Sequence, residues 1–439
     1  MFGWRGQLLR VDLDNGDITK ELLDPEIARS YLGGRGLGAY LHAEEVPNST
    51  APLSAENHLI FTTGPLTGTL APNGGRYTVV TRTPPTGEIT AASISGRWGP
   101  ELKFAGFDGI IFEGKASEPV YLWIKDGNAE LRPASHLAGK TVTATTDALI
   151  KETDERAVVS CIGPAGENEV DCSVIVSDYF SAAGGCGTGA VMGSKNLKAV
   201  VVCGMTGFRV ADDNRLLGSA MELRSWMKNR PIAAKGSLLH GSVLVADSLQ
   251  WDPEPPDLKH ARTRGCFGCA TSFSSFSYDQ GKECLPLLAG STSEELSERL
   301  KEYRFFTDLG LDFAAARTLF ASLGKDAEGR HRELAEKLAG GADIKSKETM
   351  NNGQNIDRGA CVVAGYAVVP RISEGNGQDE ATSSLVAVLD SAGLCPFLAA
   401  GISMEKIIEL LTSATGVAFS QDDMAQVGQR ISWAFRQSV

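Results

Sequence analysis

Residues 1 to about 208 consist of short apolar runs broken by glycine-bearing turns, a texture that predicts strands. Two pairs of runs carry hairpin punctuation. Leu8 to Leu13 and Ile18 to Leu23 flank Asn15-Gly16, and Val120 to Ile124 with Ala129 to Leu131 flank Asp126-Gly127. Both dipeptides suit a type I′ turn, whose two central residues take positive φ. One helix interrupts early: Asp24 is placed to cap it, Pro25 suits its first turn and Gly33-Gly34 suits its end. The rest of this half reads as sheet.

Beyond about Val210 the apolar spacing changes to the helical repeat. Asp212-Asp213 opens a run to Met227, and Ser291 stands three residues before Glu294 as a capping box. Further helices fit Phe313 to Leu323, Glu328 to Leu338, Ser384 to Leu389, Met404 to Leu411 and Asp422 to Phe435, the last capped by Ser420 with Asp423. Segments 341–357 and 371–381, rich in Lys, Asn, Gly and Ser, read as loops, and no solenoid repeat is visible. The expected fold class is α+β, with a β-rich domain over 1–208 and α-helical domains over 209–439.

The chain's 439 residues and 42% apolar content are enough to bury several cores. A net charge of −12 without a dense Lys/Arg run argues against a nucleic-acid surface. With no seven-residue apolar core in Met1 to Asp12 and no run of about eighteen apolar residues, a cytoplasmic, non-membrane protein is expected. The 9 cysteines are irregularly spaced, which speaks against a disulfide scaffold. Cys161, Cys172 and Cys203 lie in Val-rich strands and read as small buried hydrophobes.

Candidate chemistry gathers in a few segments. Asp390-Ser391-Ala392-Gly393-Leu394-Cys395 sets a carboxylate, a permissive glycine and a thiol within six residues, and Gly310-Leu311-Asp312 is a partial second copy. A carboxylate such as Asp390 or Asp312 is a good acceptor for the N–H groups of a heterocycle. Cys266-Phe267-Gly268-Cys269 has the spacing of two ligands to one metal centre, and also fits zinc or thiol exchange. Glycine-rich stretches at 64–76, 163–168 and 184–196, the last including Gly187, let backbone approach a phosphate-bearing ligand, or serve only as tight turns. Gly193-Ser194-Lys195 has the wrong order for a P-loop. Gly34-Arg35-Gly36-Leu37-Gly38 lacks the preceding strand of a dinucleotide fingerprint.

In chain order, the motifs C-x-x-C, G-L-D and D-x-x-G-L-C resemble the tungsten-dependent aldehyde:ferredoxin oxidoreductase family. So do Gly3 to Asp17, Gly34 to Leu37, Gly64 to Arg76, Leu102 to Asp108, Ile162 to Asn168 and Gly189 to Ala199. The resemblance implies an N-terminal base of two β-sheets with helical domains closing over it. It implies a tungsten or molybdenum bis-pyranopterin with bridging magnesium, a 4Fe-4S cluster, a small-molecule substrate such as an aldehyde, a ferredoxin-like carrier and homo- or hetero-oligomers. Arg76, Ser93, Gly187, Gly310, Asp312, Asp390, Gly393 and Leu394 fall at its cofactor positions. Cys266, Cys269 and Cys395 fall at its cluster positions, with Cys284 the nearest thiol where the family's remaining ligand is replaced by Phe273. Thr307, Gly185 and Ser93 also depart from its pattern, the late histidine is missing, and Glu283 stands nearest the place of its catalytic glutamate. Two other readings stay open: a degenerate, non-catalytic paralogue acting as a binding or structural subunit, and a zinc-stabilised binding protein.

Overall fold

The computed structural model describes residues 1–84, 86–179, 181–183, 187–229, 261–264, 266–269, 274–277, 285–286, 293–322, 330–342, 377–395, 398 and 402–436. Twelve strands of the first half form two six-stranded mixed sheets. They are β1 (Gln7–Asp12), β2 (Ile18–Leu22), β3 (Leu59–Thr63), β4 (Tyr77–Arg82), β5 (Ile89–Ile94), β6 (Gly109–Glu113), β7 (Val120–Lys125), β8 (Asn128–Pro133), β9 (Val158–Ile162), β10 (Ile175–Ser177), β11 (Ser181–Ala182) and β12 (Leu197–Cys203). The first sheet has the order β2-β1-β6-β3-β4-β5 and the second, read from its other edge, β8-β7-β12-β9-β10-β11.

These orders are the same pattern used twice. In each sheet a hairpin leads, its first strand pairs parallel with the last strand of the unit, and every other neighbour is antiparallel. The duplication lies in topology and pairing, which is why no repeat shows in the residues.

The two sheets enclose a shared core. Leu9, Val11, Phe61, Tyr77 and Phe112 of one sheet join Leu122, Ile124, Val158, Val200 and Val202 of the other around Trp98. The helix Trp98–Ala105 lies in this layer, and the Trp98 indole N–H donates to the Val200 carbonyl at 3.0 Å. The outer face of the first sheet, including Leu8, Ile60 and Ile111, packs with residues of the helices Gly377–Ala392, Met404–Thr415 and Gln421–Arg436. The outer face of the second sheet, through Tyr121, Val159 and Val201, meets Val142 and Leu149 of the helix Val142–Glu152. Cys161 and Cys203 pack in that outer layer and Cys172 in a neighbouring cluster. Burial pushes the Cys161 thiol up to about 11 and Cys172 up to about 12, so both are neutral packing residues, as expected.

The first half is not sheet alone. The predicted early helix is Pro25–Tyr31, with Asp24 accepting from Glu26 N, but a second helix, Gly34–Glu45, follows at once. The first helix does stop just before Gly33-Gly34, with Leu32 as its C-cap, but Gly33 also caps and Gly34 opens the second. A Cβ at Gly34 would run into the Asp390 carbonyl, and one at Gly38 would overlap Val80, so close approach is what these positions require. Asp126-Gly127 forms the type I′ turn, with φ of 46° and 84°. At Asn15-Gly16 only Gly16 has positive φ, because Asp12 Oδ1 accepts from Asp14 N and draws the loop into a longer turn.

After Cys203, helices dominate. Asp213–Asn229, Phe313–Ser322, His331–Ala339, Met404–Thr415 and Gln421–Arg436 lie where the periodicity puts them. Ser420 and Asp423 cap the last reciprocally, Asp423 N donating to Ser420 Oγ and Ser420 N to Asp423 Oδ2. Residues 377–381, expected as loop, begin the longer helix Gly377–Ala392. Ser291 of the expected capping box lies outside the described residues, and that helix runs Ser293–Asp308. Among the described residues no helix is long and apolar enough to cross a membrane.

One buried group gives the fold a pH dependence. His42 is fully buried, its Nε2 bonded to Asn57 Oδ1 at 3.0 Å, and burial holds it at about 4, against an ordinary 6.5. The unfolded chain therefore binds a proton that the folded chain refuses. This contribution is intact above about pH 6.5 and is lost as pH falls toward 4, by about 3 kcal/mol in all. Chemical denaturation of the native protein and His42→Gln across this range should show a steeper acid loss in the native protein. Equal slopes would exclude His42 as the cause.

Candidate cofactor site

The Asp390 motif is a helix terminus. Gly393, at φ 83°, ends the helix Gly377–Ala392, with Gly393 N donating to Asp390 O at 3.2 Å and Leu394 N to Leu389 O at 2.9 Å. These are the two bonds of a Schellman cap, which needs a left-handed residue and favours an apolar one after it. Leu394 is accordingly fully buried. The helix end rests on the loop after β3: Leu66 N donates to Ala392 O at 2.9 Å, and a Cβ at Gly64 would overlap the Ala392 carbonyl carbon.

This docking buries Asp390 in the last turn, against the edge of the first sheet. Its side chain is 0% exposed, with Oδ2 3.5 Å from Arg35 Nε. Arg76, just before β4, is 2% exposed; one terminal nitrogen donates to Ser93 O at 3.1 Å and the other reaches Cys395 Sγ at 3.8 Å. Among the described residues, both Asp390 oxygens, Arg76 Nε and Ser93 Oγ make no well-formed hydrogen bond, although Arg35 and Ser93 lie close enough to pull on the carboxyl. Burial pushes the Asp390 carboxyl above the usual range, against the pull of Arg35 and Arg76. Burial also works to lower Arg76, but Cys395, Asp390 and Cys266 outweigh it and hold the guanidinium above its ordinary value.

The cysteine loop reaches the same place through Asn73. Asn73 N donates to Gly268 O at 3.0 Å, and Cys395 N donates to Asn73 O at 3.1 Å. Phe267 N is held by Gly96 O at 3.2 Å, and Cys269 N bonds back to Cys266 O at 3.0 Å. Burial raises the Cys266 thiol, opposed by Ser95 and Arg76, so Arg76 lies near enough to act on both cysteine segments. Among the described residues no three His, Cys, Asp or Glu side chains form a metal-holding group. Cys284, Glu283, Phe273 and Gly185 lie outside the described residues.

The partial copy is built in the same way with different side chains. Gly310, at φ 78°, ends the helix Ser293–Asp308 by the same pair of bonds, Gly310 N to Thr307 O and Leu311 N to Phe306 O, 3.0 and 2.9 Å. Ala165 N donates to Leu309 O at 3.0 Å, the counterpart of Leu66 on Ala392. Asp312 is 3% exposed, and its Oδ1 accepts from Ala315 N at 2.8 Å, capping the helix Phe313–Ser322. Gly187, at φ 69°, opens the short helix Thr188–Ser194, and a Cβ at neighbouring Gly189 would press on Ser173 and Val174.

A group of buried, unsatisfied acceptors and donors around Asp390 suits a polar heterocycle with N–H donors and an anionic tail, so the residues fit a pterin. Arg35 and Asn73 were not singled out as site residues from sequence. An arginine set among three glycines was the available signal for Arg35, and nothing local marks Asn73.

Residues 8–204 match the family model for the aldehyde ferredoxin oxidoreductase N-terminal domain, and residues 354–437 match that for aldehyde ferredoxin oxidoreductase domains 2 and 3. The tungsten-containing aldehyde ferredoxin oxidoreductases of Pyrococcus horikoshii and Pyrococcus furiosus are each 32% identical, with 98% of this chain and 88% of the relative covered. The aliphatic sulfonate oxidoreductase, WOR-like subunit, of Pyrococcus furiosus is 37% identical over 220 residues, 46% of this chain and 35% of the relative. The alignment with the Pyrococcus horikoshii enzyme spans 533 positions, more than this chain's 439 residues, so that relative carries internal segments absent here. Among solved structures, the active site complex BamBC of benzoyl coenzyme A reductase with 1,5-dienoyl-CoA has a similar fold. Its TM-score is 0.80 at 23% identity, with 99% of this chain and 88% of that chain covered. Since the N-terminal family model lies over the paired sheets and the similarity to full-length relatives runs through both Schellman-capped segments, the chain belongs to the aldehyde ferredoxin oxidoreductase family.

Proposed function

We propose that the chain is an oxidoreductase that binds a tungsten or molybdenum pyranopterin against Asp390, Arg76 and Ser93. Its substrate is a small aldehyde, and its electron acceptor a ferredoxin-like carrier. The observation that carries the reading is Asp390, a fully buried carboxylate with two unsatisfied oxygens beside Arg35 and Arg76. Such a group is costly unless a ligand completes its hydrogen bonds. That cost favours a loaded site over a purely structural paralogue.

When bound, the metal–pterin group supplies the redox chemistry. An aldehyde and water give a carboxylic acid, two protons and two electrons, and the electrons pass one at a time to the carrier. The protein's own part is positioning. Asp390 accepts from the ring N–H edge, and Arg76 holds anionic oxygen by charge-assisted bonds and keeps Cys395 beside it. Ser93 offers a hydroxyl to the tail or to a magnesium there. Cys266, Cys269 and Cys395, joined by Cys284, are the proposed ligands of a 4Fe-4S cluster, supported by the Asn73 link between the two thiol segments. Glu283 is the proposed proton-transfer residue. Residues 1–208 act as the base and 209–439 as the closing part, in the cytoplasm and in an oligomer.

Anaerobic purification with tungstate and molybdate supplied, followed by metal and pterin analysis and aldehyde-dependent dye reduction, tests the reading. Tungsten or molybdenum with pterin and iron is expected. Zinc alone, or no metal and no pterin in folded protein, would overturn it. Cys266→Ser and Cys269→Ser should each remove most of the iron, and unchanged iron would exclude them as ligands.

A further inference from the structure

The duplicated topology allows the two cradles to be compared position by position. Strand pairing supplies the register: Thr63 faces Tyr77 and Thr78 faces Ser93 in the first sheet, while Ile162 faces Ile175 and Val176 faces Ala182 in the second. Gly64 thus corresponds to Gly163, Arg76 to Val174 and Ser93 to Ala182. Through the paired Schellman caps, Asp390 corresponds to Thr307 and Cys395 to Asp312. The backbone frame is kept on both sides, down to the matching bonds of Leu66 and Ala165 to the helix ends.

The side chains are not kept. Where the first cradle has a carboxylate, a guanidinium and a hydroxyl, the second has Thr307 at 2%, Val174 at 0% and Ala182 at 3% exposure. Among the described residues, an anionic tail laid there would meet a valine at the position of Arg76, and burying an anion without a cation beside it is strongly unfavourable. Asp312 has one oxygen already committed to Ala315 N. The Thr307 and Ser173 hydroxyls lack partners among the described residues, but neither matches a carboxylate as acceptor for a two-donor edge.

We infer that only the Asp390 cradle holds a pterin-class heterocycle, so that the chain carries one such ring system per metal and not one for each cradle. This rests on the pterin reading above. The protein is produced with tungstate and molybdate in a host that inserts the cofactor, and pterin released by acid oxidation is quantified by fluorescence against metal and protein. One pterin per metal is expected. Asp390→Asn should lower pterin by about tenfold or more, while Thr307→Val leaves it unchanged. If Asp390→Asn does not fold, Ser93→Ala reports on the same cradle and should also lower pterin content. Two pterins per metal, or a loss of pterin in folded Thr307→Val, overturns the inference and leaves the proposed function standing. Absence of pterin from native, folded protein overturns both.

Discussion

Lys103→Met is expected to destabilise the protein by about 3–5 kcal/mol, because it leaves a buried carboxylate without its cation. Lys103 Nζ lies 2.9 Å from Asp108 Oδ1, and both side chains are 0% exposed. The ammonium also donates to Gly3 O at 2.6 Å and Gly64 O at 3.4 Å. Asp108 in turn accepts from the backbone of Arg5 and Gly6 at 3.0 and 2.6 Å. Burial lowers the Lys103 pKa and Asp108 works against it, so the ammonium form depends on the pair. Since Gly64 is the floor for the Asp390 helix end, cofactor content should fall along with stability. Chemical denaturation checks the first effect, and a loss below about 1 kcal/mol would mean the pair is replaceable by packing.

Arg76→Ala is expected to lower cofactor content by about ten- to a hundred-fold, the loss of one charge-assisted contact of about 1.5–3 kcal/mol. The effect has two sources. A cation within reach of Cys395 disappears, and Asp390 loses one of the groups that offset its burial, so its carboxyl titrates higher still and accepts less well from a ring N–H. Pterin and metal in native and Arg76→Ala proteins, compared after identical growth, give the answer. Equal content would remove Arg76 from the site. Arg76→Lys should recover only part of the loss, because an ammonium cannot reproduce the guanidinium fork.

Much of the site was legible because its signals are local. A Schellman cap is written within six residues, and Asp390 to Cys395 carries both its glycine and its following leucine. Asp126-Gly127 and Ser420 with Asp423 are local in the same sense, and the structure has the turn and the cap. Glycine was the misleading signal. At Gly34 and Gly38 it marks where another segment comes close, which depends on Asp390 and Val80, distant in sequence. Read locally, Gly33-Gly34 looks only like the end of the helix before it, and Gly38 carries no signal of its own. The missed helix Trp98–Ala105 is only eight residues long and mostly buried, too short for a helical periodicity to show against the surrounding strands.

By itself the sequence determined the order of β and α halves, the two hairpins, the capped helix ends and the residue types able to hold a heterocycle, since each depends on near neighbours or on side-chain chemistry. Tertiary structure decided which of them meet. Asp390, Arg35, Arg76 and Cys395 converge only because a helix end docks on a glycine floor and Asn73 ties two loops together. The doubled sheet was likewise invisible in the residues, because strand order is set by backbone pairing, which tolerates almost any side chain. That freedom let Val174 and Thr307 stand where the other cradle has Arg76 and Asp390, giving two equal frames with unequal chemistry.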